Sequence, residues 1–100
     1  LLNHVVDFNY SSTPDKFNKI SEIIGIKMHN YSSQEKKLIL FDKLQELKES
    51  IGIIKSLKEL GVRESDIPLL AHNALNDACI ITNPREAAKE DIEKIFYKAM

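Results

Sequence analysis

Ile67-Pro68-Leu69-Leu70-Ala71-His72-Asn73-Ala74-Leu75-Asn76-Asp77-Ala78 carries the plainest periodicity in this chain of 100 residues. Ile67, Leu70, Ala71, Ala74, Leu75 and Ala78 recur at i, i+3, i+4 spacing, which gives a helix one apolar face. The spacing predicts a helix that starts near Ser65 and takes Pro68 in its tolerated first turn. It should end at Asn83-Pro84, because the residue before a proline avoids helical geometry. Beyond it, Ile92, Ile95, Phe96 and Ala99 predict a last helix over about 89–99.

The same logic extends upstream. Gly25, Gly52 and Gly61 each close a helical-looking apolar run, where a left-handed cap residue belongs. Thr13-Pro14-Asp15 reads as an N-cap, a first-turn proline and an acid at the positive helix start. Phe17, Ile20, Ile23 and Ile24 follow at helical spacing. Ser32 and Glu35 have capping-box spacing ahead of a helix over about 33–51. Its expected buried stripe is Leu38, Phe41, Leu44, Leu47 and Ile51, widened by Ile39 and Leu40. A short element follows with Ile53, Ile54, Leu57 and Leu60. Apolar residues at 1, 2, 5, 6 and 8 suit a further helix, with Asn9-Tyr10-Ser11-Ser12 as its connector. No capping residue precedes Leu1, so the expectation there is a truncated element. No stretch alternates with period two, and the fold class expected is all-α, a bundle of about five to six helices.

Bulk properties exclude several classes. A formal net charge of −1 gives no electrostatic reason for nucleic acid or an acidic membrane surface. Apolar runs such as Leu38-Ile39-Leu40-Phe41 fall well short of the roughly twenty residues that span a bilayer. A lone cysteine forms no internal disulfide and favours a cytoplasmic setting.

Candidate chemistry is sparse. The histidines, at 4, 29 and 72, never share a helical turn, whereas local metal sites use close pairs. The three glycines form no G-x-G cluster, so neither a dinucleotide nor a P-loop fingerprint is present. Cys79 has Asp77 beside it and no nearby cation to lower its pKa. It could share a stripe with His72 and Asn76; the preferred reading makes it a small buried hydrophobe beside Ala78 and Ile81. Serines sit at helix starts and linkers, where capping explains them. The lysines of residues 36–55 alternate with acids, which describes a solvated face. No catalytic, cofactor-binding or metal-ligating residue is assigned from these residues.

Three motifs, in order along the chain, carry a family resemblance. They are Leu1-Leu2-Asn3-His4-Val5-Val6-Asp7-Phe8-Asn9; Leu57-Lys58-Glu59-Leu60-Gly61-Val62 with Asp66-Ile67-Pro68; and Asp77-Ala78-Cys79 with Asn83-Pro84-Arg85 and Lys89-Glu90-Asp91-Ile92. Together they resemble the C-terminal helical portion of the iron-dependent (group III) alcohol dehydrogenases. The resemblance implies a two-domain enzyme whose other half, absent from these residues, binds NAD or NADP. It implies iron or zinc held by one Asp and three His, all in segments before Leu1, polarising an alcohol or aldehyde oxygen during hydride transfer. His4 matches a histidine of the family that is no ligand. Cys79 is expected to line the substrate pocket, and Arg85 to reach helix-end carbonyls or a carboxylate. Asn3 stands where the family commonly has proline, and Ala88 where it usually has threonine.

The expected partners are therefore the missing N-terminal domain, a small alcohol or aldehyde, and a second copy in a homodimer. The chain alone should be inactive, with part of the apolar face of residues 38–51 or 67–81 uncovered. The rival reading is a stand-alone helical interaction module.

Overall fold

The computed structural model describes all 100 residues and is wholly helical. Five α-helices follow one another: α1 (Leu2–Tyr10), α2 (Pro14–Ile23), α3 (Ser33–Ser50), α4 (Ile67–Leu75) and α5 (Lys89–Lys98). Two 3₁₀ turns, Glu64–Asp66 and Ala78–Thr82, flank α4. No helix is long and apolar enough to cross a membrane. The chain forms two compact units, residues 1–9 with 55–100, and residues 10–54.

In the unit of residues 10–54, α2 packs on α3. Pro14 opens α2 and Asp15 lies in its first turn, as the sequence predicts. Thr13 occupies the N-cap position, yet its hydroxyl makes no cap bond. Ser32 and Glu35 do form the capping box: Glu35 N–H donates to Ser32 Oγ at 3.2 Å, and Ser32 N–H to Glu35 Oε2 at 2.7 Å. Those bonds hold the Glu35 carboxyl below its usual range.

Both helices stop in the same way. Gly25 N–H bonds Glu22 O while Ile26 N–H bonds Ser21 O; Gly52 and Ile53 repeat this with Glu49 and Lys48. These are Schellman closures, and they require the left-handed backbone found at Gly25 (φ 91°) and Gly52 (φ 78°). Tyr10, Ser21, Met28 and Leu40 are buried here. Tyr10 and Asn9, expected in a connector, instead form the last turn of α1. The predicted α3 stripe needs correcting. Leu38, Leu47 and Ile51 are exposed, and Leu40 is the residue that is fully covered.

In the unit of residues 1–9 and 55–100, α4 packs on α5. Val6, Ile67, Ala71, Ile92 and Ala99 are buried. Leu57–Gly61 forms a turn in which Ser56 and Glu59 exchange capping-box bonds at 2.7 and 3.2 Å. Leu57 N–H also bonds Ala99 O, tying this turn to the end of α5.

The long helix expected from Ser65 to Asn83 is broken in two. α4 ends at Leu75, and after Asn76 and Asp77 the chain continues as the 3₁₀ turn. The cause is side-chain competition for backbone groups. Asn76 Nδ2 donates back to His72 O at 3.1 Å, and Asp77 turns extended (ψ 135°) to accept Cys79 N–H at 2.7 Å.

α5 starts without a side-chain cap at Ala88, leaving half a box in which Ala88 N–H donates to Asp91 Oδ2 at 3.2 Å. A threonine there would give the N3 amide, now bonded only to Ala88 O at 3.1 Å, a side-chain acceptor. Ala88→Thr is expected to stabilise the domain by about 1 kcal/mol. A thermal melt should then rise by about 4–8 °C; an unmoved midpoint would show that the hydroxyl does not reach Asp91 N–H.

Candidate functional site around Cys79

Cys79 sits on the 3₁₀ turn between two polar brackets. At its start, Asp77 accepts Cys79 N–H; at its end, Thr82 Oγ1 donates to Cys79 O at 3.1 Å. The thiol is exposed, which overturns its reading as a buried hydrophobe. Ala78 is exposed too, and Ile81 is 84% exposed, so the turn offers no apolar cover. The Asp77 carboxylate, through its hydrogen bond and its charge, pushes the thiol above its ordinary pKa. The carboxylate thus works against the thiolate, the form a nucleophilic cysteine needs. Cys79 does not continue a helical stripe with His72 and Asn76, since α4 has already ended.

An open concavity of about 390 Å³ is lined by Ala74, Asp77, Cys79, Ile80 and Asn83. A second, apolar one of about 180 Å³ shares Ala74, Ile80 and Asn83 and adds Val5, Phe8 and Phe96 among others. Asn83 stands at the wall between them. Its side chain makes a reciprocal amide pair with Asn9, Nδ2 to Oδ1 in both directions at 2.9 Å. Asn9 is only 6% exposed. Asn83 Nδ2 also donates to Arg85 O. Arg85 Nη1 in turn donates to Phe8 O at 2.9 Å, with its guanidinium 4.0 Å above the Phe8 ring. Arg85 thus reaches a helix-end carbonyl, one of the two partners expected for it. Sequence reasoning missed the role of Asn9, because its partner lies 74 residues away.

These side chains do not make a metal site. No three His, Cys, Asp or Glu residues converge on one point. His4 Nε2 donates to Lys98 O at 2.9 Å, so that nitrogen carries a proton. His72 Nε2 accepts from Asn76 Nδ2 at 3.2 Å. The donor set does not fit the iron or zinc that the resemblance implies.

The family model for the Fe-containing alcohol dehydrogenase family, C-terminal, matches residues 1–100. The chain belongs to that family. It is 37% identical over 99 residues to lactaldehyde reductase of Escherichia coli K12, covering 99% of this chain and 26% of that protein. It is 34% identical over 99 residues to 1,3-propanediol dehydrogenase of Citrobacter freundii, with the same coverage. Among solved structures, a 1,3-propanediol oxidoreductase superposes with a TM-score of 0.92 at 33% identity, over 99% of this chain and 26% of that one. An alcohol dehydrogenase from Oenococcus oeni gives the same TM-score and identity, over 100% and 26%. The all-helical architecture is thus the one that the C-terminal portion of this family adopts. The chain spans about a quarter of the length of the relatives it matches.

Proposed function

We propose that residues 1–100 form the C-terminal helical domain of a metal-dependent, NAD(P)-linked alcohol dehydrogenase or aldehyde reductase. In this reading the metal ligands and the nucleotide site belong to other polypeptide of the same protein. One observation carries it: the match runs the length of this chain but covers only 26% of lactaldehyde reductase. Iron or zinc, when bound in the whole enzyme, would supply Lewis acidity at the substrate oxygen. The relatives' names include a lactaldehyde reductase, a 1,3-propanediol dehydrogenase and an NAD-dependent methanol dehydrogenase, which supports a small alcohol or aldehyde as substrate and NAD as one cofactor choice. Cytoplasmic residence belongs to the same reading. So does cover for the exposed Ile20 of α2, Ile24 just after it and Leu47 of α3, from the rest of the protein or from a second copy.

The chain's own part is to wall the substrate cleft. Cys79, exposed beside an open concavity and with its thiolate disfavoured by Asp77, fits a pocket-lining role without a chemical one.

The first test compares this chain with the full-length product in metal and cofactor titrations. The full-length product should bind iron or zinc and a nicotinamide cofactor, and this chain neither. Tight metal binding or alcohol oxidation by the chain alone would end the proposal. The second test is Cys79→Trp in the full-length enzyme, which should shift KM on the order of tenfold by filling the cleft. Unchanged kinetics would remove Cys79 from the pocket wall.

A further inference from the structure

Asn83-Pro84-Arg85 and the Phe8-Asn9 end of the first motif have no part in the chemistry proposed above, yet they hold the most elaborate polar contact of the chain. Three links join them. The Asn9 and Asn83 amides exchange two hydrogen bonds at 2.9 Å, Arg85 Nη1 donates to Phe8 O at 2.9 Å, and the Arg85 guanidinium stacks on Phe8. A primary amide facing another satisfies one donor and one acceptor on each side, so the buried Asn9 amide is met by the half-buried Asn83. Planar guanidinium over an aromatic ring adds a contact that fixes direction as well as distance.

The location of these links is what matters. Asn83 directly follows the 3₁₀ turn that carries Cys79, and it lines both concavities. The hydrogen bonds at the upstream end of that turn are all short-range, within residues 72–80, and Ile80 lines the apolar concavity. A 3₁₀ turn of five residues has poor hydrogen-bond geometry and little stiffness of its own. Its position must therefore be set by its anchors. The downstream anchor is the last turn of α1.

We infer that Asn9, Asn83 and Arg85 are positioning residues: they clamp the Cys79 turn to the end of α1 and so fix the width of the substrate cleft. This rests on the reading of Cys79 as a wall of that cleft. Loosening the clamp leaves the reacting groups where they are and lets the wall move. Substrate binding then weakens while the chemical step is little altered, and discrimination between small and branched aldehydes narrows.

A double-mutant cycle in the full-length enzyme tests this, using Asn9→Ala, Asn83→Ala and the pair, with metal content measured alongside. Each single change should raise KM for a two- or three-carbon aldehyde on the order of tenfold, with kcat within about twofold. The double variant should be no worse than Asn83→Ala alone, because that change already removes the whole pair together with the bond to Arg85 O. Arg85→Gln, an exposed and better tolerated change, should move KM the same way if the alanine variants fold poorly. Unchanged KM, a fall in kcat at unchanged KM, or additive effects would overturn the clamp. If Cys79→Trp shifts KM but Asn9→Ala and Arg85→Gln do not, the cleft wall stands and the clamp falls. If Cys79→Trp is silent, both fall together.

Discussion

Ile67→Ala is expected to destabilise the chain by about 2–5 kcal/mol, the usual range for truncating a fully buried isoleucine. Ile67 is 0% exposed and stands at the junction where the 3₁₀ turn Glu64–Asp66 passes into α4. Three missing carbons there remove apolar area from the core, and the fixed backbone on either side limits collapse into the hole. Pro68 follows directly, and Asp66 is pinned by Arg63, whose guanidinium donates to both carboxylate oxygens at 3.0 and 3.2 Å. Neighbours so restrained relax little, which places the cost towards the upper half of the range. A domain of this size has roughly 5–15 kcal/mol of stability in all, so the variant should melt at least about 10 °C lower. Leu69→Ala is the matched control: two residues away on the same helix but 63% exposed, it should cost no more than about 0.5 kcal/mol. Equal losses from the two would show that α4 presents a different face to the core.

That pair of residues also marks how far the sequence can be read. The α4 pattern correctly places Ile67 and Ala71 inside, because small and large apolar residues recur on one face and polar ones interrupt the other. Where the helix stops is less legible. Asn76 and Asp77 are tolerable in a helix by propensity, and the gain that ends it comes from side-chain bonds to His72 O and Cys79 N–H. An apolar count assigns those bonds no weight. The reading of Cys79 as buried rested on how often a free cysteine is covered, and the 3₁₀ turn that starts after Asp77 leaves it exposed instead.

The glycine closures and the Ser32–Glu35 box were legible for the opposite reason. They are local, and their chemistry is written in adjacent residues. The family motifs pointed to the right all-helical architecture. The Asn9–Asn83 pair could not be read at all. Nothing local distinguishes a reciprocal amide pair from two connector asparagines, and only the packing of α1 against the later turns brings them together.

Leu40→Ala is the second large effect, again about 2–5 kcal/mol, and it decides which face of α3 carries the core. Four consecutive apolar residues, Leu38-Ile39-Leu40-Phe41, sweep through most of a helical turn, so spacing alone supports more than one stripe. The stripe through Leu38, Leu44 and Leu47 makes Leu38→Ala and Leu47→Ala the costly changes. The structure reverses this, with Leu40 1% exposed and Leu38 and Leu47 more than half exposed. In this chain, denaturant titration should therefore show a large loss at position 40 and no more than about 0.5–1 kcal/mol at 38 and 47. The full-length protein offers a sharper contrast. If other polypeptide covers this side of α2 and α3, Leu47→Ala should become costly there while Leu40→Ala stays as it was. A small cost at 47 in both settings would mean that the face is solvent-exposed in the whole protein. A large one in the isolated chain would mean that α3 is turned from the orientation described.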